Sequence, residues 1–151
     1  MVQFPASITI TQDVLIPSMD VVRGPVPVPA AAAPAPGADL FLGTAAVTIS
    51  GQLAVAASAA GVVPADAATP ALAGALLGIA ATAALAGGSI EIQGAGQMEF
   101  GGWAWTPGAP VYAGAGGVLT QVPPTTGFLQ IVGVAQDATT LVIALGDPIL
   151  L

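Results

Sequence analysis

The chain has 151 residues, enough for one domain with a substantial core, and sets one basic residue, Arg23, against eight carboxylates for a net charge of -7. It contains no cysteine, histidine or lysine. Nucleic-acid binding, which needs cations against phosphates, is thereby excluded. So are Cys- and His-based catalysis and the zinc, iron–sulfur and most other transition-metal sites that those side chains build.

Only 6% of residues are charged, whereas the surface of a free soluble domain is usually about 25–35% charged. Much of the surface is therefore expected to lie against other chains. The absence of cysteine makes the chain indifferent to redox compartment. Met1–Ile16 has no basic n-region and is interrupted by Asp13, so it does not read as a secretion signal.

In chain order, Ser7–Thr11 alternates polar and apolar residues and predicts a strand. Gly24–Gly37 contains five prolines. Proline fixes φ and removes the amide donor, so this stretch predicts an extended connector. It divides residues 1–37, an N-terminal arm with its linker, from a β-rich body over residues 38–151. Ala46–Gly51 and Gln52–Ala57 predict a hairpin or a bent strand.

The next stretch, Ala67–Gly88, reads in two ways. No charge falls between Asp66 and Glu91, a run of 24 residues that could span a bilayer as a helix, and Gly74 and Gly78 have the spacing of a transmembrane packing motif. Against a span, the run is mostly alanine, glycine and threonine, with no flanking Lys or Arg. A short surface helix within Ala67–Ala75, capped by Asp66, is a further option. Ser89–Phe100 predicts a hairpin turning at Gly94-Ala95-Gly96, with Gly101–Trp105 continuing the returning strand. Phe128–Ala135 and Thr140–Leu145 predict the last strands.

An internal echo decides the ambiguous run. Leu53–Ala65 matches Ala109–Gln121 at an offset of 56 residues, and Leu76–Ala84 matches Ile131–Thr139 at an offset of 55. The second copy contains Gln136 and Asp137 and leads into Thr140-Leu141-Val142-Ile143, a strand sequence. Both copies are therefore expected to be strands around a central glycine, within a repeat covering about 53–92 and 109–145. Nine or ten short strands with turns every 8–12 residues predict an all-β fold, a duplicated β-sandwich or barrel with an extended N-terminal arm and little helix.

Few side chains carry chemistry. In a simple hairpin Glu91 and Glu99 would face each other, open to reading as a glycosidase pair, a cation site or a solvated face. Trp103 and Trp105 share a face of an extended chain. With Tyr112 they hold three of the seven aromatics, fit to pack against a partner or core or to stack a sugar. Phe4, Ile8, Ile10 and Arg23 on the arm complete the candidate partner-contacting residues. No cofactor or metal site is predicted; Gly61-Val62-Val63 and Gly117-Val118-Leu119 lack the lysine and spacing of a phosphate loop.

The segment Trp103-Ala104-Trp105-Thr106-Pro107-Gly108-Ala109-Pro110-Val111-Tyr112, then Gly117–Gln121, Pro123-Pro124, Gln130 and Val132–Ala135, resembles a module of small structural proteins of tailed-bacteriophage virions. The upstream copy, with Val62–Ala67 and Leu77–Ala80, is similar to the first half of that family, and together they cover about two-thirds of the chain. The resemblance implies a β-rich fold, no enzymatic role and a homo-oligomer, often a trimer. The viral protein it suggests first is a capsid decoration (cement) protein on the outer capsid surface of the virion. Its partner would be the major capsid protein, with the arm lying across neighbouring subunits. A fibre or tail-associated module binding carbohydrate or a host surface through Trp103, Trp105 and Tyr112 is the alternative, and a small integral membrane protein the third.

Overall fold

The computed structural model describes residues 38–151. The readings for residues 1–37, including Phe4, Ile8, Ile10 and Arg23, lie outside the described residues. The body is all-β. Its eleven strands are β1 (Asp39–Thr44), β2 (Ala54–Ser58), β3 (Gly61–Pro64), β4 (Leu76–Ala80), β5 (Ser89–Glu99), β6 (Pro110–Ala113), β7 (Leu119–Thr120), β8 (Phe128–Leu129), β9 (Ile131–Ala135), β10 (Thr140–Ile143) and β11 (Ile149–Leu150). Nine form one antiparallel sheet in the order β3-β2-β4-β5-β10-β9-β6-β7, with β1 also paired to β5. β8 and β11 form a separate ribbon.

This order reads the same from either end. In the first repeat, β2 pairs with β3 on one side and β4 on the other, and β4 leads to β5. In the second, β6 pairs with β7 and β9, and β9 leads to β10. The correspondence extends to single residues. The β2–β4 pairing skips Leu77, and the β6–β9 pairing skips Val132, so each repeat has a bulge immediately before a glycine. Those glycines, Gly78 and Gly133, are 55 residues apart. A Cβ on Gly78 would overlap the Gln93 carbonyl, and one on Gly133 the Val142 carbonyl. Each glycine lets the third strand of its repeat bend tightly against the fourth.

The run between Asp66 and Glu91 is accordingly not a helix. It forms a single 3₁₀ turn at Pro70–Leu72, then β4, then a loop. Asp66 does not cap an α-helix; its Oδ1 accepts from Ala68 N at 3.0 Å, and Pro70 opens the turn. No helix among the described residues is long and apolar enough to cross a membrane.

The predicted hairpin at Gly94 is also overturned. Ser89–Glu99 is one continuous strand whose first part pairs with β1 and β4 and whose last part, Gly96–Glu99, pairs with β10. The glycines do not reverse the chain but kink it: β1 skips Gly94, and Gly96 has φ 87°. The buried Gln93 side chain spans the kink, donating from Nε2 to Ala95 O at 3.0 Å and to Gln97 O at 2.7 Å. The kink moves the strand from one core to the other, with Ile90 and Ile92 in one and Met98 in the other.

Two apolar cores result. The inner face of the first repeat (Val55, Leu77, Ala80, Ile90, Ile92) is filled by Ala45 and Ile49 from the segment after β1. Ala46–Gly51 and Gln52–Ala57 were expected to form a hairpin or a bent strand. Instead the segment after β1 makes isolated bridges, Ala45 to Val62 and Ile49 to Ala84. The inner face of the second repeat (Val111, Val132, Ala135, Leu141, Ile143) is filled by the opposite face of the first: Ala54, Ala56, Leu76 and Ile79. The sheet curls far enough for its ends to meet, where Ala67 N donates to Gly114 O and Phe128 N to Ala67 O, both at 3.0 Å.

Candidate functional site

The two tryptophans sit on a loop, not on the predicted strand. β5 ends at Glu99, and residues 100–109 cross the β9–β10 turn, held by Phe100 N to Thr139 O (2.9 Å), Trp105 N to Ala138 O (2.9 Å) and Gly108 N to Ala135 O (2.8 Å). Gln121 locks the far end: its Oε1 accepts from Thr106 N at 2.9 Å and its Nε2 donates to Thr106 O at 3.0 Å. The extended backbone still places both tryptophans on one side, with Ala104 exposed between them. Trp103 meets Trp105 with ring centroids 5.4 Å apart at 43°, and meets Phe100 edge-on at 5.7 Å and 74°.

Both tryptophans are half-buried against the core that joins the two repeats. Trp105 Nε1 is buried with no hydrogen-bond partner among the described residues. Trp103 is flanked by rings on two sides, so its area goes mainly to packing. Tyr112 is not in this cluster. It lies between the buried Val111 and Ala113 on β6, hence on the other face of the sheet, in register with Ile131 and Thr120. Phe100 takes the third place in the cluster. Its signal in the sequence was adjacency to the Gly101-Gly102 turn, which folds it back toward Trp103.

The carboxylates are dispersed. Glu91 and Glu99 lie eight residues apart on one strand, on the order of 25 Å, too far to share a proton, a cation or a glycosidic bond. Asp66 ties the two sheet ends, its Oδ1 accepting from Ala68 N and, at 3.1 Å, from Gly116 N. Asp137 orders the β9–β10 turn, with Oδ1 accepting from Thr139 N and Thr140 N, each at 2.9 Å. Those bonds, that from Thr139 N first, hold its carboxyl below the usual value. Among the described residues no three carboxylates cluster.

A groove of about 620 Å³ lies at the seam where the sheet ends meet. Ala67, Ala115, Val118, Val122 and Pro123 line it, with Thr120 and Thr125 as polar edges. Among the described residues no charged side chain lines this groove, so it offers apolar contact and hydroxyl hydrogen bonds.

The chain matches no family model, and no curated protein matches its sequence. What distinguishes its surface is apolar exposure: Leu42, Leu85 and Val122 are 72%, 74% and 74% exposed, and Ile149, Leu150 and Leu151 form an exposed apolar end.

Proposed function

We propose that the chain is a non-enzymatic structural protein of a bacteriophage virion, a capsid decoration protein that binds the outer capsid surface and stabilises it. The observation that carries this reading is a sparsely charged surface with large apolar side chains in the open, a combination suited to burial against other chains. The dispersed carboxylates and the turn-rich resemblance to virion modules support the same role. In this reading the proline-rich arm pins the β-body to adjacent capsid or decoration subunits. The major capsid protein is the partner, and the decoration protein works as a homo-oligomer. Deleting residues 1–37 is expected to leave a folded body that no longer binds capsids. Unchanged capsid occupancy by the truncated chain would reject the role assigned to the arm.

The half-exposed Trp103–Trp105 pair favours a second reading, a fibre or tail-associated module that binds carbohydrate or a host surface. Trp103→Ala separates the two. Loss of glycan or cell binding with folding retained selects the fibre module; retained capsid binding with no glycan binding in either protein selects decoration.

A further inference from the structure

The two repeats present equivalent outer faces to different surroundings. In the first, the outer face carries Ala54, Ala56, Leu76 and Ile79, all buried against the second repeat. The residues at the same positions of the second repeat, by the 56- and 55-residue offsets, are Pro110, Tyr112, Ile131 and Val134. Pro110, Tyr112 and Ile131 are half-buried, and Val134 is 43% exposed. Strand register extends this face into one surface: Val134 stands beside Pro110 and Val142, Val142 beside Gln97, and Tyr112 beside Ile131 and Thr120.

We propose that this outer face of the second repeat is a self-association surface that pairs with the same face of a second copy of the chain. Within one chain, the equivalent face of the first repeat already serves as a sheet-to-sheet contact, against the inner face of the second. The layers also have a direction. Ala45 and Ile49 close the free side of the first repeat, whereas among the described residues that of the second is only partly covered, with Val134 exposed. A stack with one closed and one open end is completed by joining open end to open end, a two-fold arrangement that stops at a dimer.

Charge selects the same occupant. Among the described residues the face holds no cation, and its only carboxylate is Glu99, at the strand end beside Thr140. A neutral apolar face with a tyrosine in its middle complements itself better than it does a strongly charged partner. The inference does not rest on capsid binding and stands or falls separately. Its two-fold pairing also differs from the trimer that the resemblance implies.

Sedimentation of the full-length protein at micromolar concentration provides the test. The wild-type chain is expected to be a dimer, and Val134→Glu, which places an unpaired carboxylate in the contact, to weaken self-association by at least about tenfold with an unchanged circular dichroism spectrum. Val122→Glu, on the groove, should leave the dimer intact. A wild-type monomer, a trimer, or a dimer that survives Val134→Glu would overturn the proposal. Loss of capsid binding in any variant bears on the decoration role alone.

Discussion

The first and second repeats share strand order, a bulge at one position and a glycine at the next, yet among the described residues the first is buried on both faces and the second fully on only one. Backbone path and burial thus have separate causes. The path follows from pairing and glycine, which are local and recur in both repeats. Burial depends on which neighbour lies above each face, and that differs. The sequences reflect it: where the first repeat meets a second sheet it uses Ala54 and Ala56, small enough for close approach, and where the second is open it uses Pro110 and Tyr112.

Substituting the shared glycines should have the largest effect. Gly78→Ala and Gly133→Ala each force a Cβ into a backbone carbonyl on the adjacent strand, and each is expected to destabilise the body by about 3 kcal/mol or more in urea unfolding. A large loss at one site and none at the other would break the equivalence of the repeats.

The next contrast is between outer faces. Ile79→Ala should cost about 3 kcal/mol, the range for a fully buried aliphatic side chain. Val134→Ala, at the equivalent position but exposed, should cost under about 0.5 kcal/mol at concentrations where the chain is monomeric. Equal costs would mean that the second repeat is covered after all. Trp103→Ala, which removes half of the ring pair on the shared core, should fall between these, at about 2 kcal/mol.

The smallest effect concerns the turns between third and fourth strands. In the first repeat Thr82 Oγ1 accepts from Glu91 N at 3.1 Å; in the second the equivalent residue is the titratable Asp137. The folded-state pKa of Asp137 lies below the ordinary 3.8. Its contribution is present above the unfolded value and is lost as pH falls through the lower folded value. Asp137→Asn should therefore flatten the acid side of the stability profile slightly, while Thr82→Val should lower stability without changing its pH dependence. Thermal melts between about pH 5 and pH 2 would show both.

Much of this fold was legible in the chain. The 56- and 55-residue offsets match the pairings of β2 with β4 and of β6 with β9, and they turned the uncharged run from a membrane helix into strands. The hairpin reading of Ser89–Phe100 failed because Gly-Ala-Gly permits both a turn and a kink, and local residues cannot choose between them. The choice came from β4 and β1 pairing with one part of the strand and β10 with the other. β1 was missed because Asp39-Leu40-Phe41-Leu42 lacks alternation. At the candidate site, the tryptophans were visible as a pair, but their separation from Tyr112 was not, since it depends on β5 ending at Glu99.

The sequence by itself determined the all-β class, the repeat, the two glycines and the scarcity of charge, because each is a matter of composition or of residues near one another in the chain. Only the tertiary structure decided that one repeat fills the inner face of the other, that Glu91 and Glu99 lie apart, and that Tyr112 and Val134 face outward. Those outcomes depend on contacts between residues far apart in the chain, where a small side chain such as Ala54 or Ala56 fits equally well in a loop, a helix or a tightly packed sheet until its neighbour is known.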